Sequence, residues 1–337
     1  NNEAIASYLR VGFFSNNITP YRFIKEVTPG YLYEINLSSL QINKYQYFNI
    51  ADQYLNPHNI NHEEALTKLD SILHKSIKDR LLSSDLDVGT FLSSGIDSSL
   101  IVAIASQYKK DIKTFTVKFQ GIFDESVNAR KTSEIFSTNH HELEILIDLK
   151  NDVEKILKAY GEPFMDSSAI PSFYVSQEAK KYVTVVLNGD GADEIFAGYR
   201  RYIPAAHNWL KYAKYFSMLS NFLPISKNKM SYYNYFYRLI AMSSKDDFDL
   251  YLSSTNDIFE DFYRFGVQST DEEIKKNILQ ISNNNLSTLS KSLILDSTFL
   301  LPNDLLKKMD IATMTNSLEA RSPFLSKYML EWAPKLS

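Results

Sequence analysis

Two short runs of residues hold the side chains best suited to chemistry. The first is Phe91-Leu92-Ser93-Ser94-Gly95-Ile96-Asp97-Ser98-Ser99. Small residues let a backbone turn tightly and present successive N–H groups to an anion, as a phosphate cradle requires. The helix expected next would add the positive end of its dipole at the same point. An acid at the start of that helix conflicts with phosphate unless a divalent cation lies between them, so Asp97 reads as a magnesium ligand. A serine and aspartate cap in a tight strand-to-helix turn fits the same residues equally well. The run is not a Walker A loop, because no Gly-Lys-Ser/Thr follows, and it lacks the Gly-x-Gly-x-x-Gly of a dinucleotide fold.

The second run is Asn188-Gly189-Asp190-Gly191-Ala192-Asp193-Glu194-Ile195-Phe196-Ala197-Gly198-Tyr199. Asp190, Asp193 and Glu194 fall close together between glycines, and their mutual repulsion asks for a cation or a substrate ammonium. A solvated acidic turn is the plainer alternative. A third stretch, Leu301-Pro302-Asn303-Asp304-Leu305-Leu306-Lys307-Lys308-Met309-Asp310 and on to Leu325, sets charges among apolar residues. Buried charges need mutual pairing. Asp310, Glu319 and Arg321 are therefore expected to form an ion-pair scaffold around a substrate pocket rather than to do catalysis. In Asn139-His140-His141-Glu142 a third metal ligand is lacking, and on a strand the two imidazoles point to opposite faces.

The elements that must position these runs alternate along the chain. Strands are expected at Val88–Leu92, Thr114–Phe119, His141–Ile147 and Val183–Leu187, where β-rich apolar runs end in turn residues. Helices are expected at Glu63–Leu82, Ser98–Tyr108, Glu125–Phe136, Val153–Tyr160 and Pro171–Lys180. Alternation of this kind predicts a doubly wound α/β domain with a mostly parallel sheet over roughly residues 60–200. In such a sheet, ligands sit beyond the carboxyl ends of the strands, where the first two runs fall. Residues 1–50 read as short strands, including Tyr31–Ile35 and Lys44–Phe48, with a turn at Pro29-Gly30. The polar segment Ile50 to His62 reads as a linker. Residues 204–300 read as an added helical region whose aromatics at Tyr232–Tyr237 form a packing core, with a loop at Ser282–Asn285. No internal repeat is present.

Composition bounds the partners. The 337 residues are 44% apolar and 23% charged with a net charge of −4, which offers no global basic field to nucleic acid. No apolar run reaches the roughly 18 residues that span a bilayer, so a cytoplasmic protein without nucleic-acid or membrane partners is expected. There are no cysteines, which excludes disulfides, thiolate zinc sites and a cysteine nucleophile within these residues.

Ser93–Ser98 resembles the Ser-Gly-Gly-x-Asp-Ser pyrophosphate loop (PP-loop) of the ATP pyrophosphatases, a superfamily that includes asparagine, β-lactam, GMP and argininosuccinate synthetases; Ser94 stands at the first of the two usual glycines. The second and third runs are similar to the signatures of glutamine-hydrolysing asparagine synthetases. This resemblance implies a Rossmann-like fold, ATP and Mg2+ as cofactors, and ATP contacts from Leu92, Ser93, Ser94, Gly95, Asp97, Ser98, Val117, Asn188 and Gly189. It also implies that Asp193 joins Asp97 on magnesium, that Asp190 assists formation of an aspartyl-adenylate, and that Asp166 and Glu194 border the pocket with Asp310, Glu319 and Arg321. The domains implied are the end of a glutaminase at 1–50, a linker at 51–62 and an ATP-dependent synthetase at 63–337. Ammonia would then come from glutamine hydrolysed by a cysteine domain outside these residues, and the family's pyrophosphate-binding lysine is expected beyond Leu336. Aspartate, ATP and ammonia are the implied small-molecule substrates, and a homodimer is allowed. Three rival readings accompany aspartate amidation: amidation of a sugar carboxylate for polysaccharide synthesis, a cyclase of the β-lactam or lasso-peptide kind, and a non-catalytic nucleotide-binding module.

Overall fold

Val88-Gly89-Thr90-Phe91 and Val185-Val186-Leu187 are short runs buried on both faces, as strands in the middle of a covered sheet must be. In the computed structural model they are β3 (Val88–Phe91) and β6 (Val185–Leu187), neighbours at the centre of a five-stranded sheet. The structure describes residues 1–14, 17–118, 124–145, 148–207, 209–224, 231–243, 251 and 286–336. The chain divides into two units, residues 1–55 with 196–300 and residues 56–195 with 301–337.

The second unit holds the sheet. Its remaining strands are β4 (Lys113–Lys118), β5 (Asn139–Glu144) and β7 (Glu319–Arg321), in the order β5-β4-β3-β6-β7, and every pairing is parallel. The chain builds outward from β3 to one side and then returns to add β6 and β7 on the other, so the fold is α/β and doubly wound. Helices His62–Leu82, Ile96–Tyr108, Ser126–Ile135, Leu149–Tyr160 and Ala169–Ala179 supply the covering layers. Phe115, Leu143 and Val186 from the sheet bury with Ala179, Val183 and Leu318. Leu92, Val102 and Ala129 form a second cluster joining β3's exit to two helices.

Element ends follow local chemistry. Asn61 and Glu64 form a reciprocal capping box that starts the helix at His62, inside the segment expected to be a linker. Upstream, Asn49 caps a short helix, Ile50–Tyr54, whose two end residues are buried, so these polar residues act as caps rather than as spacer. The third expected strand begins two residues earlier, at Asn139, because Asn139 N–H already bonds Ile112 C=O. Phe119, Ile147 and the Ser282–Asn285 loop lie outside the described residues.

The first unit opens with a helix, Asn2–Val11, where short strands were expected; the Asn1 side chain caps it and Gly12 ends it at φ 88°. The antiparallel pair β1 (Tyr31–Ile35) and β2 (Ile42–Gln46) follows, with β2 two residues ahead of its expected place. Tyr232–Tyr237 does lie in a helix, Tyr232–Ser243, but its aromatics do not make a core. The buried positions are Asn234 and Ile240, and Tyr232, Tyr233, Tyr235 and Phe236 are exposed. Among the described residues no helix is long and apolar enough to cross a membrane.

Candidate active site

The register Thr90↔Leu187 sets the carboxyl ends of β3 and β6 side by side at the point where the strand order reverses. In doubly wound sheets this crevice is where ligands bind. The Ser93–Ser98 loop leaves β3 and the Asn188–Gly191 loop leaves β6, so the first two runs meet there. Their approach is close: a Cβ placed on Gly189 would stand 3.3 Å from Asp97 Cβ and 3.6 Å from Ser98 N. Gly191 adopts φ 91°, and a Cβ there would overlap the Leu325 side chain. Only glycine serves at that position.

Serine hydroxyls shape the first loop. Ser93 N–H donates to Ser98 Oγ at 3.1 Å, Gly95 N–H donates to Ser93 Oγ at 3.1 Å, and the two hydroxyls lie 2.9 Å apart. Leu92 anchors the loop below, its N–H on Phe115 C=O and its C=O on the Thr116 hydroxyl. The helix begins at Ile96 with Gly95 as N-cap and no side-chain cap, so Asp97 lies within the first turn rather than capping it. Burial, followed by the charge of Asp193, raises the Asp97 carboxyl above the usual range. Two mutually repelling hard oxygen donors suit magnesium, which keeps its other positions for water and phosphate oxygens. Among the described residues no group of three or more His, Asp or Glu could hold a metal by itself. Val117 lies near the carboxyl end of β4, paired in register with Leu143.

Asn188 is 3% exposed and occupied within the protein. Its Nδ2 donates to Asp190 Oδ2 at 2.7 Å, its Oδ1 accepts from Ser322 Oγ at 2.6 Å, and its N–H meets Arg321 C=O at 3.0 Å. The residue thus orients Asp190. Burial pushes the Asp190 carboxyl up to about 6; Glu194 adds to the rise, while the Lys308 charge and the Asn188 hydrogen bond oppose it. A carboxyl poised there can hold or accept a proton near neutrality. Glu194 itself is almost fully buried.

Lys308 is the cation that sequence reasoning left without a role. Its Nζ donates to Asp166 Oδ2 at 2.8 Å and to Ser168 Oγ at 2.7 Å. Asp304, one turn earlier, is pushed up to about 7 by burial and by Asp166, against the pull of Lys308, and its Oδ1 has no hydrogen-bond partner. Lys307 pairs with Glu162 nearby. The signal was the density of charge in the Leu301–Asp310 run; spacing could not tell which acid each lysine meets.

The ion-pair scaffold is realised only in part. Asp310 is exposed on the helix Leu306–Met314, because the face of that helix carrying Ala312 and Thr313 turns inward. Arg321 pairs with Glu319 at 2.7 Å on β7, a strand the sequence did not announce. Its guanidinium also donates to Arg80 C=O and Ser83 Oγ, closing the carboxyl end of the helix His62–Leu82. On β5 the His140 ring bonds Thr114 while His141 stacks over Phe115, on opposite faces of the strand.

Residues 68–337 match the family model described as asparagine synthase, and all three runs lie inside that match. The chain belongs to the asparagine synthase family. Among curated proteins it is 29% identical over 352 aligned residues to asparagine synthetase (glutamine-hydrolyzing) 1 of Bacillus subtilis, covering 99% of this chain and 53% of the relative. It is 30% identical over 235 residues to a putative asparagine synthetase (glutamine-hydrolyzing) 2 of Methanocaldococcus jannaschii, covering 68% of this chain and 44% of the relative. The chain thus spans about half the length of these members of the asparagine synthase family.

Proposed function

We propose that this chain is the ATP-dependent synthetase part of a carboxylate-amidating ligase, with aspartate as the acid and asparagine, AMP and pyrophosphate as products. The observation that supports it best is the meeting of the two loops, Gly189 against Asp97, at the reversal of strand order. In this reading the Ser93–Ser98 loop and the first turn of the helix Ile96–Tyr108 receive the phosphates of ATP, with Leu92, Val117, Asn188 and Gly189 around the nucleotide. Asp97 and Asp193 would hold magnesium, which when bound offsets the charge of the leaving pyrophosphate. The substrate carboxylate attacks the α-phosphorus, and pyrophosphate leaves. Ammonia then attacks the acyl carbon, AMP departs and the amide forms. The ammonia nitrogen must lose a proton in that step, and Asp190 is poised to take it. Asp166, Glu194, Glu319 and Arg321 hold the surrounding structure, and Asp310 faces outward. Residues 1–50 are read as the end of a glutaminase domain that supplies ammonia, and residues 63–337 as the synthetase, in a cytoplasmic enzyme.

The test is aspartate-dependent ATP/pyrophosphate exchange. Exchange should require aspartate and magnesium and vanish in Asp97→Ala. Exchange that persists in that variant overturns the reading; exchange that responds to a uronic acid and not to aspartate changes the substrate and keeps the chemistry.

A further inference from the structure

The Ser94 N–H, in the middle of the loop read as the phosphate cradle, points at a carboxylate. Glu125 Oε2 accepts it at 3.0 Å across 31 residues of chain. Glu125 stands at the N-cap of the helix Ser126–Ile135, yet makes no side-chain cap there. Asp124 does that work instead, accepting from Ser126 N–H and Ser126 Oγ at 3.0 Å each. With its own helix capped by a neighbour, the Glu125 side chain is left to cross to the loop. It is exposed, and none of the ion pairs found among the described residues involves it. Arg130, one turn along the same helix, is engaged with Glu142.

The loop N–H groups nearby are satisfied by the neutral hydroxyls of Ser98 and Ser93. The Glu125 carboxylate is therefore the one full negative charge from outside the loop that is hydrogen-bonded to it among the described residues; Asp97, within the loop, meets only its own backbone. A carboxylate oxygen and a phosphate oxygen make the same demand on a backbone N–H, a charge-assisted hydrogen bond of similar length. They cannot share one donor without bringing two anions into contact.

We propose that Glu125 is the resident anion of the phosphate loop: its carboxylate holds the Ser94 N–H in the free protein and must swing away for a pyrophosphate group to bind. The inference rests on the reading of Ser93–Ser98 as a phosphate site. An exposed glutamate has three side-chain torsions with which to leave, so no backbone need move. The same exchange run backwards returns Glu125 to Ser94 as pyrophosphate departs, which would weaken retention of that product and hasten its release.

The experiment is calorimetric titration of the full chain with inorganic pyrophosphate, and separately with ATP, at fixed magnesium and ionic strength. Glu125→Gln keeps the shape and removes the charge. Glu125→Asp keeps the charge and shortens the reach by one methylene. Both should bind pyrophosphate more tightly than the parent, Glu125→Gln by roughly tenfold, the worth of one hydrogen bond to a charged group. Far-UV circular dichroism checks that the fold is kept. Equal or weaker binding by Glu125→Gln, with the parent binding normally, overturns the proposal alone. Tighter binding by Glu125→Gln with none by Glu125→Asp reduces the effect to nearby charge and overturns the seat on Ser94. Failure of the parent to bind either ligand overturns the phosphate reading of the loop and this inference with it.

Discussion

Lys308 and Asp166, 142 positions apart in the chain, form an ion pair of 2.8 Å whose two side chains are 13% and 20% exposed. The pair ties the third sequence run to the turn before the helix Ala169–Ala179, next to the acids that line the proposed pocket. Burial alone would raise the Asp166 carboxyl. Hydrogen bonds from Lys308 and Ser168, with the Lys308 charge, outweigh it and hold the group below its ordinary value.

Breaking that pair from one side leaves Asp166 shielded from water without its cation. Lys308→Met should cost about 3 kcal/mol of stability at pH 7. Adding Asp166→Asn should return a large part of it, because the double variant leaves no uncompensated charge. Urea denaturation of the two single variants and the double variant reads the coupling directly. A group whose folded pKa is depressed contributes stability above its unfolded pKa and loses it as pH falls through the folded value. The cost of Lys308→Met should therefore shrink below about pH 4, where Asp166 is protonated in the unfolded chain.

Asp304 behaves in the opposite sense. Its carboxyl is raised to about 7 and one oxygen has no partner. A group with a raised folded pKa favours the folded state fully below its unfolded pKa, and that contribution is lost as pH rises through the folded value. At pH 8 the ionised Asp304 is thus a liability, and Asp304→Asn should stabilise the protein by ~2 kcal/mol. Near pH 4 the gain should vanish. Chemical denaturation of the variant and its parent at both pH values would show it; a gain equal at both pH values would mean that ionisation is not its source.

How much of this could be read in the sequence depends on how local each feature is. The placing of Asp97 and Asp190 beyond neighbouring strand ends was legible because strand, turn and acid follow one another without interruption, and a parallel sheet sends such turns to one edge. The parallel sheet also followed from the alternation, whereas the order of its strands and the presence of β7 did not. Glu319-Ala320-Arg321 has no β-rich side chains and is a strand only because β6 offers it an open edge. Lys308–Asp166 and Glu125–Ser94 join distant residues through the fold, and no spacing rule reports them. The exposed rings of Tyr232, Tyr233, Tyr235 and Phe236 were misread because periodicity tells which residues share a face, not whether that face is covered; the helix at Asn2–Val11 was missed because its limits rest on the Asn1 and Gly12 caps, which the reading of residues 1–50 as short strands passed over.

Gly191 offers a steric test. At φ 91° a side chain is strained, costing about 1–2 kcal/mol, and the added methyl also meets Leu325. Gly191→Ala should lower the melting temperature and weaken ATP binding, because the Asn188–Gly191 loop must shift. Gly189→Ala meets Asp97 Cβ at 3.3 Å without a positive φ and should be milder for stability. Combining Gly191→Ala with Leu325→Ala would remove the overlap and leave the backbone strain, so stability should recover only incompletely relative to Leu325→Ala alone. Full recovery would assign the whole effect to Leu325.

Asp296 organises the segment that follows the second run. It is completely buried and accepts from Arg201 Nη2 at 2.7 Å, from Tyr251 OH at 2.8 Å and from the hydroxyl of Tyr202. Burial first, and then the Asp296 charge, push the Tyr54, Tyr202 and Tyr251 phenols upward. Their neutral forms are favoured by folding, so they contribute stability fully below about pH 10 and lose it as pH rises beyond. Alkaline titration followed by phenolate absorbance should show these three phenols ionising late, together with loss of fold. Asp296→Ala removes the acceptor and leaves Arg201, mostly buried, without its anion, at a cost of about 3–5 kcal/mol. Hydrogen exchange would locate the damage: amides at 200–203, including the Tyr202 N–H that bonds Tyr199 C=O, should lose protection first. Uniform loss across the described residues would instead mean that Asp296 supports the whole fold rather than this segment.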